Sequence, residues 1–600
     1  MKNLFRSLMI VLVFSGNLSA ALHAQDSTLL VVSGQVVSMR SGNQLSDINV
    51  AVMKVPGLIT VTDSLGKFQI HVPDKNATLV FSFPGYKSQE LHLRERSTVN
   101  IEMVENGLRS IQDPIHVAYG DKAIENLTGG VSWVDENSLR NQNAKSLETM
   151  IQGMATGAHV IQRSGFPGSG AEVYIRGINS IHTSHKPLYI IDGFILKSDL
   201  FENTLSPGTP YNPLVDINPE DIESITILKD GYAASTYGAR AANGIILINT
   251  YQGSQGASTL DLTSQVGFSM VPTNLPLLNG SQYRMLVEEL GYADDLTPRQ
   301  ISAVFDKLTE DGTGERFNNN TQWQDEIFQP ALTHNHHLRL KGGDGISKYM
   351  FTVGYTDKDG IIDNTSMNRL TSRFNLDYQI TSKLTFSSRI SYTNTNVRAH
   401  DQGLSIYNPI TLATTKAPIL EPYNMSYLSH PLDSADILGK SNPLSVIQGL
   451  ENSNVVNRFI GTVSAGYDFS SSLRIKTTFG MDYFRLRENR FIPSEGIVRY
   501  KNRINQTSLQ VSKEHMFTNE TVLEFSKLIN YVHQLNFVMG AALQTNQFQT
   551  DYGSAINTPS DEFTSLGSGA IMDSISYAGG KWNTLSYFGN ANYIYNDKYY

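Results

Sequence analysis

The chain has 600 residues, ample length for several domains. Only 17% of them are charged and 10% are aromatic, and the net charge of −9 leaves no basic footprint of the kind nucleic acid requires. Cysteine is absent, which excludes disulfides, thiolate chemistry, Cys-ligated zinc and a lipidated N-terminal cysteine.

In chain order, Lys2 and Arg6 precede an apolar run, Leu8 to Phe14, and small residues that end at Ala24. This is the pattern of a secretory signal peptide over 1–24, and the run is too short to span a bilayer as a helix. Residues 30–104 alternate in short runs such as "INVAVMKV", "KFQIHV" and "TLVFSFPGY", with turn signals at Ser64-Leu65-Gly66 and Pro84-Gly85. A small β-sandwich is expected there. The alternation stops over 105–125, which contains Pro114 and reads as a linker. Residues 126–252 mix periods: "LETMIQGM" is helical, "EVYIRGI" and "PLYIIDGF" alternate as strands, and "PEDIESITILKD" opens as a helix start and continues as a strand. A compact α/β domain follows from this.

Within that domain "ITILKDGYAASTYGARAANGIILINT" is rich in Gly and Ala, which raises the question of a phosphate loop. Gly231, Gly238 and Gly244 fit neither the P-loop nor the dinucleotide spacing. The stretch reads instead as strand, small-residue turn and strand, carrying Lys229, Asp230 and Arg240 where close packing favours internal pairing of charges.

From 257 to 600 the chain alternates apolar and polar residues in segments of roughly ten, as in "TLDLTSQVGFSM", "SKYMFTVGYTD" and "LSYFGNANYIYNDKYY". Connections are alternately short and long, which points to an antiparallel transmembrane β-barrel with one trimmed and one elaborated end. About ten complete strands are expected, and Tyr599-Tyr600 open a further one. An open sheet edge is not tolerated in hydrocarbon, so the 600 residues are expected to be the N-terminal part of a longer protein.

Candidate chemistry elsewhere is thin. His334 and His336 share a strand face beside His337, yet no carboxylate lies at ligand spacing and a metal site is not expected. Glu288-Glu289 and Asp294-Asp295 read as solvated loop or helix residues, and no nucleophile elbow is present. Tyr349, Phe351, Tyr355, Tyr378, Phe386 and Tyr392 read as lipid-facing or girdle residues. Loop tyrosines such as Tyr407, Tyr423, Tyr427 and Tyr552 are candidates to stack on a sugar.

The segments "AEVYIRGINSI", "PLYIIDGF" and "INPEDIESITILKDGYAASTYGARAANGIILINT" resemble the plug domain of SusC/RagA-type TonB-dependent outer-membrane transporters. "VTDSLGKFQI" resembles the carboxypeptidase-regulatory-like sandwich that precedes such plugs, and "NTQWQDEIFQPALTHNHHLRLKGG" resembles the family's first long loop. The resemblance implies a mainly β chain: that sandwich, an α/β plug, and the first strands of a barrel of about 22. It places Arg176, Gly177, Asp192, Gly193, Lys229, Asp230, Tyr237, Gly238, Arg240, Asn243 and Gly244 in the plug. It also puts a TonB-contact segment at Ile115, His116, Val117, Ala118, Tyr119 and Gly120, which departs from the acidic-hydrophobic run ending in Gly-Tyr-Gly usual there.

The implied function is TonB-dependent import of a bulky nutrient, a glycan oligosaccharide or a peptide, across the outer membrane. The sandwich would lie in the periplasm. The implied partners are the TonB-ExbB-ExbD complex, a SusD-like surface lipoprotein, the substrate and outer-membrane lipid, with no cofactor, no nucleic acid and no enzymatic role. The alternatives are siderophore or cobalamin uptake without a lid and, from another class, a secreted enzyme or a surface adhesin.

Overall fold

The computed structural model describes residues 30–599, leaving out 105–113, 302–318, 424–439 and shorter stretches that include 40–41, 118–120, 124–126, 141–145, 197–203, 232–234 and 499–503. The expected signal peptide, most of the linker and Tyr427 lie outside the described residues. Among those residues no helix is long and apolar enough to cross a membrane.

Residues up to Leu108 form one compact unit. Its strands are β1 (Leu30–Ser38), β2 (Asn49–Val52), β3 (Ile59–Val61), β4 (Lys67–Val72), β5 (Thr78–Ser82), β6 (Gln89–His92) and β7 (Thr98–Met103). They make two sheets, β4-β1-β7 and β3-β2-β5-β6, with Val36, Ile48, Val50, Phe81, Leu93 and Met103 fully buried between them. The strict alternation of β4 and β7 supplies one inward residue in two, as the sequence pattern required. Gly34 is obligatory, because a Cβ there would lie 1.7 Å from the Val99 carbonyl oxygen.

The second unit, from Arg109 on, begins with a two-stranded hairpin, β8 (Pro114–His116) and β9 (Asp121–Ala123), in which Ile115 pairs with Lys122. A central domain follows, with strands β10 (Val131–Val134), β11 (Ala158–Ile161), β12 (Glu172–Ile175), β13 (Leu188–Ile191), β14 (Phe194–Leu196), β15 (Ile222–Leu228) and β16 (Ile245–Thr250). Five of them form the mixed sheet β10-β15-β16-β13-β14, with β13 and β16 parallel. The helices α1 (Glu136–Arg140) and α2 (Leu147–Met150) are short. The helical period of "LETMIQGM" yields a single turn, capped by Ser146, before the chain turns away. β15 and β16 are buried on both faces and carry the core, with Ile225, Ile227, Leu228, Ile245 and Ile248 at zero exposure.

Ten antiparallel strands in sequence order complete the unit: β17 (Gly256–Ser269), β18 (Ala331–Gly343), β19 (Ser347–Asp359), β20 (Ser366–Gln379), β21 (Leu384–Arg398), β22 (Glu451–Ser470), β23 (Leu473–Ile492), β24 (Gln506–Ile529), β25 (His533–Ile556) and β26 (Ile571–Tyr595). The mainly β architecture matches expectation. The strand length does not, since β22 to β26 run 20 to 25 residues where segments of about ten were expected.

On β19 and β20 the outward set includes Phe351, Tyr355, Leu370, Phe374 and Tyr378, all exposed, while Thr352, Thr356, Arg369, Thr371 and Arg373 are buried against the central domain. Short turns at 344–346, 380–383, 471–472 and 530–532 alternate with longer connections at 270–330, 399–450, 493–505 and 557–570. The longest connections are structured. They contain α3 (Gly280–Ala293), α4 (Trp323–Ile327), α5 (Pro409–Thr415) and α6 (Pro443–Gly449), and Trp323, Ile327, Ile362, Ala413 and Ile447 form one apolar cluster among them.

Candidate functional site

The turn between β13 and β14 is the two-residue loop Asp192-Gly193, with φ of 48° and 85°. Positive φ at both central residues matches the twist of a tight hairpin, which explains Asp followed by Gly. The turn aims the Asp192 carboxylate at its surroundings. Oδ1 accepts from the Thr250 backbone N at 2.9 Å, and Oδ2 accepts from Thr250 Oγ1 at 2.8 Å and from Arg373 Nη1 on β20 at 3.1 Å.

Arg373 sits between two carboxylates of the central domain, its Nε lying 3.7 Å from Asp221 Oδ2. Asp221 Oδ1 is in turn 2.8 Å from His337 Nε2 on β18. All four side chains are below one-tenth exposed. Burial pushes the Asp221 carboxyl up, but the hydrogen bond from His337 and the Arg373 charge more than offset this and hold it below the ordinary aspartate value. The row of charges thus crosses from the central domain to two strands of the sheet.

A second crossing lies one strand pair further on. Arg458 on β22 makes a forked contact with Asp482 on β23, at 3.0 and 2.7 Å, and donates to the Pro213 carbonyl at 2.8 Å. Asp216 of the central domain approaches the same guanidinium at 3.8 Å and accepts from Tyr211 Oη at 2.5 Å and Thr395 Oγ1 at 2.9 Å. Burial pushes Asp216 upward despite Arg458. Arg369 on β20 donates to the carbonyls of Val215 and Ile217, at 2.6 and 3.2 Å. Around these contacts Tyr211 and Val215 pack on Met367, Val456, Phe484 and Leu486. The seam therefore combines fully desolvated ion pairs with an apolar patch, and breaking one partner of such a pair strands the other.

The remaining residues expected in the plug divide between internal and seam roles. Arg176 pairs with Asp230, which also accepts from the Gly130 backbone N–H. That backbone bond first, and Arg176 second, hold the Asp230 carboxyl below its ordinary value. Arg176 has φ of 58° and Gly177 of 95°. Lys229 Nζ donates to Ser132 Oγ at 2.8 Å and to the Thr156 carbonyl at 2.9 Å. Asn243 Nδ2 donates to the Ser184 carbonyl at 2.7 Å. Gly238, at φ 70°, kinks the 3-10 stretch Ser235–Ala241, within which Tyr237 is buried. Gly244, at φ 88°, leaves room for Ile175 and the Leu228 carbonyl, which a Cβ would meet at 2.8 and 2.9 Å. Arg240 reaches out instead and donates to Gln544 Oε1 on β25. Thus Arg176, Lys229, Asp230 and Asn243 secure the domain itself, while Asp192 and Arg240 reach the sheet. Asp216, Asp221, His337, Arg369, Arg373 and Arg458 were not singled out for the seam from sequence, because an isolated charge in a strand has no spacing signal.

Within the central domain a fully buried carboxylate lacks a charged partner among the described residues. Glu148 on α2 is 1% exposed, and its Oε1 accepts from Asn212 Nδ2 while Oε2 has no hydrogen-bond partner. Burial raises its pKa. Gly170 packs directly over it, since a Cβ there would lie 2.6 Å from Oε1.

Of the other candidates, His334 and His336 stack on the outward face at 6.2 Å, whereas His337 turns inward to Asp221. Among the described residues no three potential ligands converge on a metal position. Tyr407 is 8% exposed and donates to the Val498 carbonyl at 3.1 Å, and Tyr552 lies within β25. Neither is a loop residue free to stack on a sugar. In the TonB-contact segment, Ile115 and His116 lie in β8, Val117 follows it, and Ala118, Tyr119 and Gly120 are outside the described residues.

Residues 123–245 match the family described as TonB-dependent Receptor Plug Domain, and residues 32–111 match the CarboxypepD_reg-like domain. The TonB-dependent receptor SusC of Bacteroides thetaiotaomicron is 29% identical over 475 residues, 75% of this chain and 44% of that protein. The TonB-dependent receptor P39 of Formosa agariphila is 27% identical over 539 residues, 89% of this chain and 48% of that protein. The chain thus spans about half the length of the curated relatives it matches. Among solved structures, the RagAB peptide importer in its open-open state superposes with a TM-score of 0.68 at 20% identity, over 81% of this chain and 55% of that one. These matches bear out the resemblance read from the sequence.

Proposed function

We propose that this chain, a SusC/RagA-type TonB-dependent receptor sequence, supplies the plug and ten barrel strands of an outer-membrane importer for a bulky nutrient, a glycan oligosaccharide or a peptide. The observation that carries the reading is the seam. A plug that only sealed a pore would be best fixed by apolar packing, whereas this one is fastened to the wall at Asp192, Asp221 and Asp216 by charges that water can replace when the plug is pulled. RagAB is a peptide importer, so the likeness to it supports the peptide alternative, and the likeness to SusC supports a SusD-like surface lipoprotein as partner.

Energy enters, on this reading, through Ile115–Gly120. In the hairpin β8–β9 one edge of β8 is occupied by β9, and the other has no strand partner among the described residues, so it can add to a strand of TonB, a mode in which backbone hydrogen bonds supply the affinity. The sandwich lies on the periplasmic side. The long connections, with their helix-bearing apolar cluster, lie on the outer face, where a lipoprotein lid and substrate meet the mouth.

Deleting Ile115–Gly120 tests this. Uptake of the nutrient should stop while surface expression and lid association persist, and Val117→Pro should impair uptake more than Val117→Ala because proline removes a backbone donor. Import by the deletion variant at the wild-type rate would overturn the assignment.

A further inference from the structure

The outward face of β22 to β26 changes character along its length. Nearest the short turns it is apolar: Met539 is 64% exposed, Leu585 60%, Phe479 60% and Phe517 51%. Toward the long connections, four residues beyond Phe517 and six beyond Phe479, it becomes basic. Arg485 on β23 stands directly opposite Lys513 on β24, Arg487 follows on the same face, and Lys581 lies on β26 in the row of Tyr483 and His515. Their neighbours Phe484, Leu486 and Glu488 are buried against the plug side, which fixes the odd-numbered residues on the outer face. None of Arg485, Arg487, Lys513 and Lys581 has a hydrogen bond or ion pair among the described residues. The one nearby acid, Asp551, accepts from Gln549 Nε2 at 2.8 Å.

Like charges directly opposite on neighbouring strands repel, so an unoccupied Arg485–Lys513 pair costs free energy that an anion would recover. Immediately below it is a groove of about 400 Å³ lined by outward Ile390, Val463, Phe479, Met481, Phe517 and Leu543. Its floor contains Gly461, where a Cβ would press on the Phe459 ring at 3.0 Å. The Tyr483 and His515 rings, 5.0 Å apart, stand between groove and basic pair.

A basic clamp, an aromatic collar and an apolar groove in vertical series match the order of an amphiphile: phosphate, sugar or glycerol backbone, acyl chain. We infer that the outer wall at β22 to β25 is a binding site for a phosphorylated, acylated lipid of the surrounding leaflet. Arg485 and Lys513 hold its phosphate, and the groove beside Gly461 holds one chain. The inference rests on the reading of this sheet as membrane-embedded and adds a lipid site to it.

The test uses the full receptor in phosphatidylcholine nanodiscs doped with lipid A, with native mass spectrometry counting retained lipid and deacylated lipid A as the headgroup probe. Arg485→Ala/Lys513→Ala should lower retention of lipid A by about tenfold or more. Gly461→Leu should lower it while leaving the weak binding of the deacylated headgroup unchanged. Heat-modifiable migration reports folding, and Lys513→Gln alone serves if the double variant is poorly folded. Retention of lipid A equal to wild type in these variants overturns the proposal, and so does a deacylated headgroup that binds as tightly as lipid A. Embedding is read separately by labelling Leu585→Cys: residues 1–600 hold no cysteine, and any cysteine elsewhere in the full receptor is replaced first. Free labelling of Cys at that position by a water-soluble maleimide would defeat the membrane reading, whereas protection with unchanged lipid retention would defeat only the lipid site.

Discussion

Arg373 Nη1 donates to Asp192 Oδ2 at 3.1 Å, joining a turn of the plug to the middle of strand β20, 181 residues away in sequence. Both groups are buried, so the pair cannot exchange with water while the plug is seated. Arg373→Ala should therefore loosen the plug by about 3–5 kcal/mol, the cost of leaving a buried charge unpaired. Hydrogen exchange checks it: amides of β13 and β16 should lose protection while those of β19 to β21 keep theirs. Unchanged protection in the plug would show that the pair does not fasten it.

Acid should act on the seam through Asp221. Its folded carboxyl lies below the ordinary aspartate value, so its contribution is complete above that value and is lost as pH falls through the depressed one. Asp221→Asn should remove this acid-side loss and lower stability at neutral pH, measured by thermal melting across the acid range.

Glu148 has the opposite sign. Its raised pKa means the folded plug prefers the protonated form, so stability falls as pH rises above the ordinary glutamate value. Glu148→Gln should raise the plug's melting temperature at neutral pH and flatten its pH dependence there. A lower melting temperature would mean that the hydrogen bonds from Asn212, Ser146 and the Ala171 backbone outweigh the cost of burying the charge.

Two glycines separate backbone strain from crowding. At Gly193 a Cβ meets nothing within 4 Å, so Gly193→Ala costs only the left-handed conformation, about 1 kcal/mol. At Gly244 the same φ penalty is joined by contacts under 3 Å with Ile175 and a backbone carbonyl, adding about 1–3 kcal/mol. Chemical denaturation should rank Gly244→Ala as clearly the more damaging.

Trp323 locks two long connections together. It is 3% exposed, and its Nε1 donates to the Ala417 carbonyl at 3.0 Å. Trp323→Ala should cost the loop cluster about 3–5 kcal/mol and open the 399–450 connection to limited proteolysis, with the strands intact. Equal resistance to protease would locate the lock elsewhere.

The sequence made the strands visible wherever one face was apolar and the other polar, as in Phe351, Tyr355, Leu370 and Phe374. It underestimated β23 because its upper half reverses the signal: Phe484 and Leu486 face inward on the plug while Arg485 and Arg487 face out. Arg176-Gly177 and Asp192-Gly193 were placed in the plug by resemblance alone, and the positive φ at all four, which suits the glycines, emerges only in the structure. The seam was not legible either. Arg373 and Arg458 read as ordinary polar positions of a strand, and their partners Asp192, Asp221 and Asp216 are too far away in sequence for any local period to connect them. Only the docking of two separately patterned segments makes them a unit.

If the sheet is the wall of an outer-membrane barrel, as proposed above, the length of β22 to β26 sets the height of its rim. At about 3.3 Å per residue and a tilt near 40°, 25 residues rise about 60 Å, roughly twice the height of the hydrocarbon band. The surplus is a rigid chimney of laddered backbone, so the altitude of the entrance belongs to five strands collectively. A single residue added to one of them either bulges out of the ladder, as Asp573 does in β26, or turns its side chains inside out against both neighbours, whereas a change in a crowning loop leaves the chimney standing. On the reading of this sheet as a barrel wall, rim height changes when adjacent strands lengthen together, while the chemistry displayed at the rim is free to vary one residue at a time.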